Sequence, residues 1–598
     1  MAEKIVSPGV FTRERDLTFL PAGIQNIGAA IVGPTVKGPA GVPTMVTSFA
    51  EYRQLFGDVF ESGSGAYKGY YSYLTSLAAE EYLRHHDSLT VVRIMAGSYG
   101  GANSNVANTV TGSTTSPSFK LHTLSDGALL NSGTPAAALV GSGSAAASDV
   151  STNNILVSGS KDNLRWEIAS KNISRGTFAL YLRSGNDTIK RKNILETWNN
   201  LSLDPNSTNY IAKRLGDAKL NLKGSGTVSP YIQASGSYAN KSKYVRVEVL
   251  QQTLNYLDEN GNISSNAYTA SLPMATSGTF FGGSDGTVQH PQSFYENITS
   301  TNSQGYNMNT GNQGKTAYED AINLLRNSDE YDINLLMLPG VISALAGHST
   351  VAATAIQMCE DRGDCFTIID PVAFASSITD ATTEASARDT NYAAVYWPWV
   401  QMSDNYASKN VWVPASVAMG GVYAFNDKVA AEWFAPAGLN RGGIDRAIQP
   451  ERKLTHGNRD TLYDSNVNPL ATFPNSGVVA FGQKTLQKKA SALDRVNVRR
   501  LLIAAKKFIA SSTRYLVFEQ NTSETRNRFL SIVNPYLESV QQRQGLYAFK
   551  VVMDESNNTP DVIDRNQMVG QLFLQPTRTA EFIIIDFNIL PTGAAFPE

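Results

Sequence analysis

Hydrophobic and polar positions alternate most clearly at the two ends of the chain. Along the C-terminal run, Ile583, Ile585, Phe587 and Ile589 fall on one face of an extended strand, and Phe582, Ile584, Asp586 and Asn588 fall on the other. One face is fully apolar and the other half apolar. At the front, Ile5 to Phe11 is extended in character, with Val6, Pro8, Val10 and Phe11 as the residues expected to carry pairing. A bare edge of this kind templates uncontrolled pairing. Each end is therefore expected either to close its own subunit's sheet or to add a strand to a neighbour.

Between the ends the pattern switches repeatedly between strand and helix periods. Ile27 to Gly33 reads as a small apolar strand closed by Gly33-Pro34, and Gly38-Pro39 marks a second turn. Ser48 followed by Glu51 is a capping-box start for a helix to Phe56. Tyr70 to His85 is expected to be a longer helix and Leu89 to Met95 the strand after it. Phe178 to Leu182 and Tyr244 to Val249 alternate as strands of a sheet with one wet face. From Ala317 on, helix and strand alternate: helix to Arg326, strand Ile333 to Leu338 ended by Pro339-Gly340, helix Thr350 to Cys359, strand Cys365 to Ile369. That order predicts an α/β layer domain. Val496 to Ile509 and Ser523 to Gln541 are the longest helices, the second expected to kink or split at Pro535. Strands follow near Ala548 to Met553, Gln571 to Leu574 and Phe582 to Ile589.

Two tracts break this pattern. Gly97 to Ser160 is rich in Ser, Thr, Asn, Gly and Ala, and a loop-rich stretch runs from about Asp258 to Gly314. At 598 residues the chain is too long for one core, and three to five domains are expected at roughly 150 residues each. With 50 basic against 52 acidic residues, the net charge of −2 gives no general attraction to nucleic acid or membrane, so a charged partner has to meet a local patch. No apolar run approaches the roughly 20 residues of a membrane span. The first residues lack an apolar signal core, which leads us to expect assembly in a cytoplasm.

Chemistry-bearing motifs are sparse. Gly311-Asn-Gln-Gly-Lys315-Thr316 has Asn309 where a phosphate-binding loop needs glycine, and polar loop where it needs a buried strand. The six histidines are scattered, and Cys359 and Cys365, the only cysteines, have neither zinc nor redox spacing. We therefore expect buried free thiols, no metal, no cofactor and no catalytic residues. One charge pattern stands out: Arg499 and Arg500 recur seven residues later as Lys506 and Lys507, placing four cations on one helix face. That face is either simply solvated or docks an acidic surface.

Val413 to Asp427, followed by Trp433-Phe-Ala-Pro-Ala-Gly438, resembles the signature of contractile phage tail sheath proteins. Further blocks agree in order: Ser7 to Val10, Ile31 to Pro39, Phe366 to Pro371, Asn497 to Leu501, Asn557 to Pro560 and Pro576 to Phe582. Leu203 to Ile211 is similar to the large multi-domain sheaths of myovirus tails. The resemblance implies a non-enzymatic structural subunit that stacks as hexameric rings around an inner tail tube and contracts to drive it through a host envelope. It implies itself, the tube, baseplate and terminator proteins as partners, with no nucleic acid and no membrane insertion, in a virion tail assembled in the host cytoplasm. It implies, too, that both arms add strands to neighbouring subunits, and it makes Arg499, Arg500, Lys506 and Lys507 a candidate tube contact. Two alternatives stay open: the sheath of a genome-free contractile injection particle, or a virion surface protein whose Ser/Thr-rich insertion binds host glycan.

The fold class expected is thus α/β (α+β) and multi-domain, with a mixed-sheet sheath-type core, β-rich inserted outer domains and strand-forming arms. By residues, 1–22 is the N-terminal arm, 23–97 with 161–315 a middle domain, 98–160 an outward-facing insertion, 316–576 the inner α/β core and 577–598 the C-terminal arm.

Overall fold

A computed structural model describes residues 27–62, 69–108, 117–131, 162–187, 190–289, 294–474 and 476–583. Its centre is an eight-stranded sheet in the order Thr44–Val46, Leu89–Arg93, Gly28–Gly33, Ile333–Ile342, Phe366–Asp370, Ala393–Trp397, Val467–Phe473 and Gly477–Ala480. The pairings are parallel except at the two edge strands. A parallel sheet has both faces covered, and the strand residues sort accordingly. Ala29, Ile31, Leu335 and Met337 pack into one core with helices Leu74–Leu83 and Ala415–Val429. Ala30, Val32, Leu336 and Leu338 pack into another with helices Gln313–Leu324 and His348–Arg362.

The Val413 to Asp427 block forms most of helix Ala415–Val429, which packs on Ile333–Ile342, Phe366–Asp370 and Ala393–Trp397. Gly420 and Gly421 are small because a Cβ at Gly420 would lie 2.3 Å from Met337 Sδ and one at Gly421 3.0 Å from the Glu81 carbonyl oxygen. Asn426 closes the turn after this helix, its amide donating to the carbonyls of Ala431 (3.0 Å) and Phe434 (3.2 Å).

Two four-stranded antiparallel sheets make a second, β-rich layer: Ile194–Ser202, Thr177–Ser184, Leu164–Asn172 and Ser277–Thr279, against Val245–Val249, Pro117–Asp126, Tyr99–Ala107 and Ser284–Asp285. They meet through Phe119 stacked on Phe178 and through the Trp166 indole donating to Ser104 Oγ at 2.8 Å. A third unit follows the sheet: helices Val496–Thr513 and Ser523–Gln542 and a two-stranded hairpin, Leu546–Val552 with Gln571–Pro576, around Leu501, Phe529, Val533, Leu537 and Val540.

This architecture is α/β and multi-domain, with β-rich insertions. Several local expectations change. Residues 28–93 supply three strands to the same sheet as 333–480, so 23–97 groups with the core of 316–576 and not with 161–315. Part of the 98–160 tract, Tyr99–Ala107 and Pro117–Asp126, is built into the β-rich layer with Val245–Val249. Tyr70 lies on strand Gly69–Ser72, paired to Val59–Ser62, and the helix expected from it starts only at Leu74. The strand and the turn after it set Tyr71 and Tyr73 against Phe294 and Phe60 and leave Tyr70 exposed. Strand Ile333–Ile342 continues past Pro339 through a register shift, and the helix expected to kink or split at Pro535 is not split: it runs from Ser523 to Gln542, with Pro535 and Ser531 on its exposed side, where solvent can reach the Ser531 carbonyl left without its helical donor.

Candidate assembly site

The hairpin presents one open face in the C-terminal unit. Exposure alternates along Gln571–Pro576, with Leu572 and Leu574 turned onto the helices, while Tyr547 and Phe573 face outward, more than half exposed. Among the described residues no further strand pairs with either edge, so both edges are open to strand addition, although the Tyr547 and Val552 carbonyls already accept from the Gln541 (2.8 Å) and Asn557 (2.7 Å) amides. The connection between the strands is held by buried Asn558. Its amide donates to the carbonyls of Asp554 (3.1 Å) and Val569 (2.9 Å), and its oxygen accepts from Val569 N at 2.8 Å. This explains Asn558 in the Asn557 to Pro560 block, a role the sequence does not disclose.

The chain leaves the hairpin through Thr577, whose N–H donates to Gly545 O, and crosses back to the sheet domain. There Glu581 is fixed by Arg495 (Nε 2.7 Å, the terminal nitrogen 2.9 Å), by the Tyr463 hydroxyl at 2.9 Å and by Gln483 at 3.2 Å. Burial opposes the charge, but these donors outweigh it and hold the Glu581 carboxyl below its ordinary pKa. Phe582 and Ile583 follow, 78% and 81% exposed. Of the residues named for the arms, these two are described; Val6, Pro8, Val10, Phe11, Ile585, Phe587 and Ile589 lie outside the described residues.

The helix Val496–Thr513 corrects the picture of a free basic face. The seven-residue recurrence does put Arg499, Arg500 and Lys507 together, but that face is turned inward. Arg500 forms a bidentate pair with Asp427 at 2.7 and 2.5 Å and lies over the Tyr423 ring. Lys507 reaches Asp364 at 3.2 Å and also pairs with Asp332. Arg499 is 3% exposed with its guanidinium 3.7 Å from the Tyr392 ring centre. Only Lys506 of the four is exposed. Partial burial and the neighbouring Arg499 charge lower its pKa. The carboxylates that turn this face inward lie 73 to 175 residues away along the chain, beyond the reach of any local pattern.

Beside this junction is a cavity of about 660 Å³ lined by His85, Asp427, Glu432, Trp433, Lys507 and Tyr536, among others. Burial, and then the Asp427 charge, push Glu432 up to about 7. Lys315, the lysine of the nucleotide-like string, pairs with Glu319 at 2.9 Å, and the string opens a helix after irregular chain. Cys359 and Cys365 are buried free thiols with Sγ atoms 3.1 Å apart. Among the described residues no cluster of His, Cys, Asp or Glu is suited to hold a metal, and no helix is long and apolar enough to cross a membrane.

Comparison with known proteins places the second half of the chain. Residues 314–486 match the phage tail sheath protein central domain, and residues 488–589 the phage tail sheath C-terminal domain. The tail sheath protein of Vibrio phage KVP40 is 39% identical over 209 residues, covering 35% of this chain and 31% of that protein. The tail sheath protein of Enterobacteria phage T4 is 34% identical over 267 residues, covering 42% of this chain and 40% of that protein. The matches thus span less than half the length of these relatives. The crystal structure of the sheath tail protein Lin1278 from Listeria innocua shares the fold, with a TM-score of 0.51 at 10% identity over 92% of this chain and 95% of that one.

Proposed function

From a chain that belongs, over residues 314–589, to the phage tail sheath family, we propose a non-enzymatic structural subunit of a contractile virion tail that polymerises as hexameric rings around an inner tube and contracts to drive it through the host envelope. The observation that carries the proposal is the hairpin Leu546–Val552 and Gln571–Pro576, with two open edges on a subunit that has two apolar terminal arms. Each arm adds a strand to one hairpin edge in a neighbouring subunit. A net 0.5–1.5 kcal/mol per main-chain hydrogen bond makes each added strand worth only a few kcal/mol, but many such junctions per ring give high avidity. Because main-chain pairing is largely indifferent to side chains, the mesh persists while the subunit bodies rotate. Contraction follows if the extended array is a trapped packing and the contracted one buries more intersubunit surface. The tube, baseplate and terminator proteins are the remaining partners, with neither nucleic acid nor membrane insertion involved, and Lys506 is the residue of the basic helix left free to meet an acidic tube surface.

Negative-stain electron microscopy of the purified chain, alone and with tube protein, tests this. Hollow striated tubes or stacked six-fold rings are expected, and removal of residues 1–20 or 584–598 should abolish them. A chain that stays monomeric in both settings over a range of salt and concentration would overturn the proposal.

A further inference from the structure

The C-terminal arm does not simply trail from the hairpin. Between Pro576 and the exposed Phe582 the chain turns away from the two strands and is secured to a different domain. The Glu581 carboxylate takes four donors from three side chains, Arg495, Tyr463 and Gln483, and Gln483 also donates to Thr579 Oγ1 at 2.5 Å. Arg495 is the residue immediately before helix Val496–Thr513, and that helix is bonded through Arg500 to Asp427 at the end of helix Ala415–Val429. Tyr463 lies on helix His456–Asp464, and Gln483 follows the last strand of the large sheet, where Val496 N–H donates to its carbonyl at 2.8 Å. A pull on residue 582 is therefore resisted by the sheet domain before it reaches the hairpin.

We propose that Glu581, with Arg495, Tyr463 and Gln483, is the anchor of the C-terminal arm, a fixed pivot that passes tension from the exchanged strand into the sheet domain and spares the hairpin of the same subunit. The inference rests on the exchange of arms proposed above. It has a structural reason. The hairpin accepts strands from neighbours, and a donor arm tugging directly on Gln571–Pro576 would peel that strand from a two-stranded sheet whose outer edge is open. With the pivot at Glu581, residues 577–580 form a short tether and donor and acceptor are strained independently.

The test uses the full chain with a nitroxide on Ala580→Cys, an exposed position; Cys359 and Cys365 are fully buried and remain unlabelled. The label should be immobilised in the parent, and Glu581→Ala or Arg495→Met should speed its rotation at least fivefold. Sheaths built from Glu581→Ala should still assemble but shear to mean lengths at least threefold shorter. Should Glu581→Ala fail to fold, Tyr463→Phe, which removes one donor, should speed the label about twofold. Unchanged spectra would overturn the anchor, and loosened spectra with unchanged sheath lengths would overturn its mechanical role. Failure of the unmodified chain to polymerise would instead overturn arm exchange and the tension it supplies, while the spectra would still decide whether Glu581 fixes the arm's root.

Discussion

Arg500 is the residue whose loss should loosen the C-terminal unit most. Its guanidinium and the Asp427 carboxylate make two parallel hydrogen bonds at 2.7 and 2.5 Å, with the side chains only 4% and 16% exposed. Opposite charges about 4 Å apart attract by about 4 kcal/mol at an effective dielectric constant near 20. Deleting one partner of a buried pair costs about 3–5 kcal/mol, because the other is left charged and dry. The two deletions should differ, however. Arg500→Met strands Asp427 beside Glu432, two carboxyls in one cavity with Lys507 left as the nearby cation. Burial keeps Glu432 raised in either variant, but Asp427→Asn removes the repulsion that adds to it, so a larger fraction of Glu432 ionises and takes over part of the pairing with Arg500.

We expect Arg500→Met to cost about 3–5 kcal/mol and Asp427→Asn at least ~1 kcal/mol less, with the double Arg500→Met/Asp427→Leu recovering most of the loss. A multi-domain chain need not unfold in one step, so the appropriate assay is native-state hydrogen exchange followed on helix Val496–Thr513. A loss of about 3–5 kcal/mol accelerates exchange there by roughly two to three and a half powers of ten. An Arg500→Met variant whose helix exchanges within threefold of the parent would refute the argument. Equal effects of the two single variants would refute the part assigned to Glu432.

Three other outcomes follow from the same geometry. Asp370 is fully buried, and burial pushes its carboxyl up to about 7 against two hydrogen bonds from Ser416. The native state then keeps a proton that the unfolded chain loses near pH 4, so stability falls as pH rises from about 4 to 7, by roughly 1.4 kcal/mol per pH unit at steepest; Asp370→Asn should flatten that slope in urea melts, leaving the parallel contribution of Glu432. Lys506→Glu should lower sheath assembly on tubes severalfold with little change in folding, whereas Lys507→Glu should disrupt the subunit itself because it faces Asp332 and Asp364; assembly assays with circular dichroism on the same samples separate the two. Proline placed in turn at positions 571 to 575 should alternate in effect. Where the N–H faces away from Leu546–Val552 it should leave the hairpin intact and stop polymer growth, and an absence of alternation in the micrographs would count against strand addition there.

What was legible in the sequence was local. Ile31, Val32, Leu335 and Leu336 announce buried strands because both faces of their sheet are covered, and a continuous apolar run needs no knowledge of neighbours. The order of those strands was not legible: Gly28–Gly33 sits beside Ile333–Ile342 across some three hundred residues, a choice made by packing and not by pattern. The same limit explains the basic helix. A seven-residue repeat marks Arg499, Arg500, Lys506 and Lys507 as a basic face, but whether Arg500 and Lys507 meet water or carboxylates depends on Asp332, Asp364 and Asp427, none of them near in sequence. The anchoring role of Glu581 has no local signal: its block, Pro576 to Phe582, resembles the family, but nothing in that string points to Arg495, Tyr463 or Gln483.

Two kinds of bonding thus divide the chain, and the division bears on the contraction proposed for it. Within the subunit, the sheet domain and the C-terminal unit are joined by side-chain pairs that are buried and directional: Arg500 with Asp427 and Lys507 with Asp364. Such pairs tolerate little displacement, because moving either partner by an ångström or two leaves a charge without solvent or counter-ion. Between subunits, the proposed junctions are main-chain ladders on exposed strands, which would swing about the Glu581 pivot without losing a bond. A lattice of rigid bodies on hinged strands should change its pitch by rotating bodies and not by deforming them. If so, a cross-link across the Arg500–Asp427 junction should leave contraction intact, and one that staples the arm at residue 582 to its own hairpin should block it.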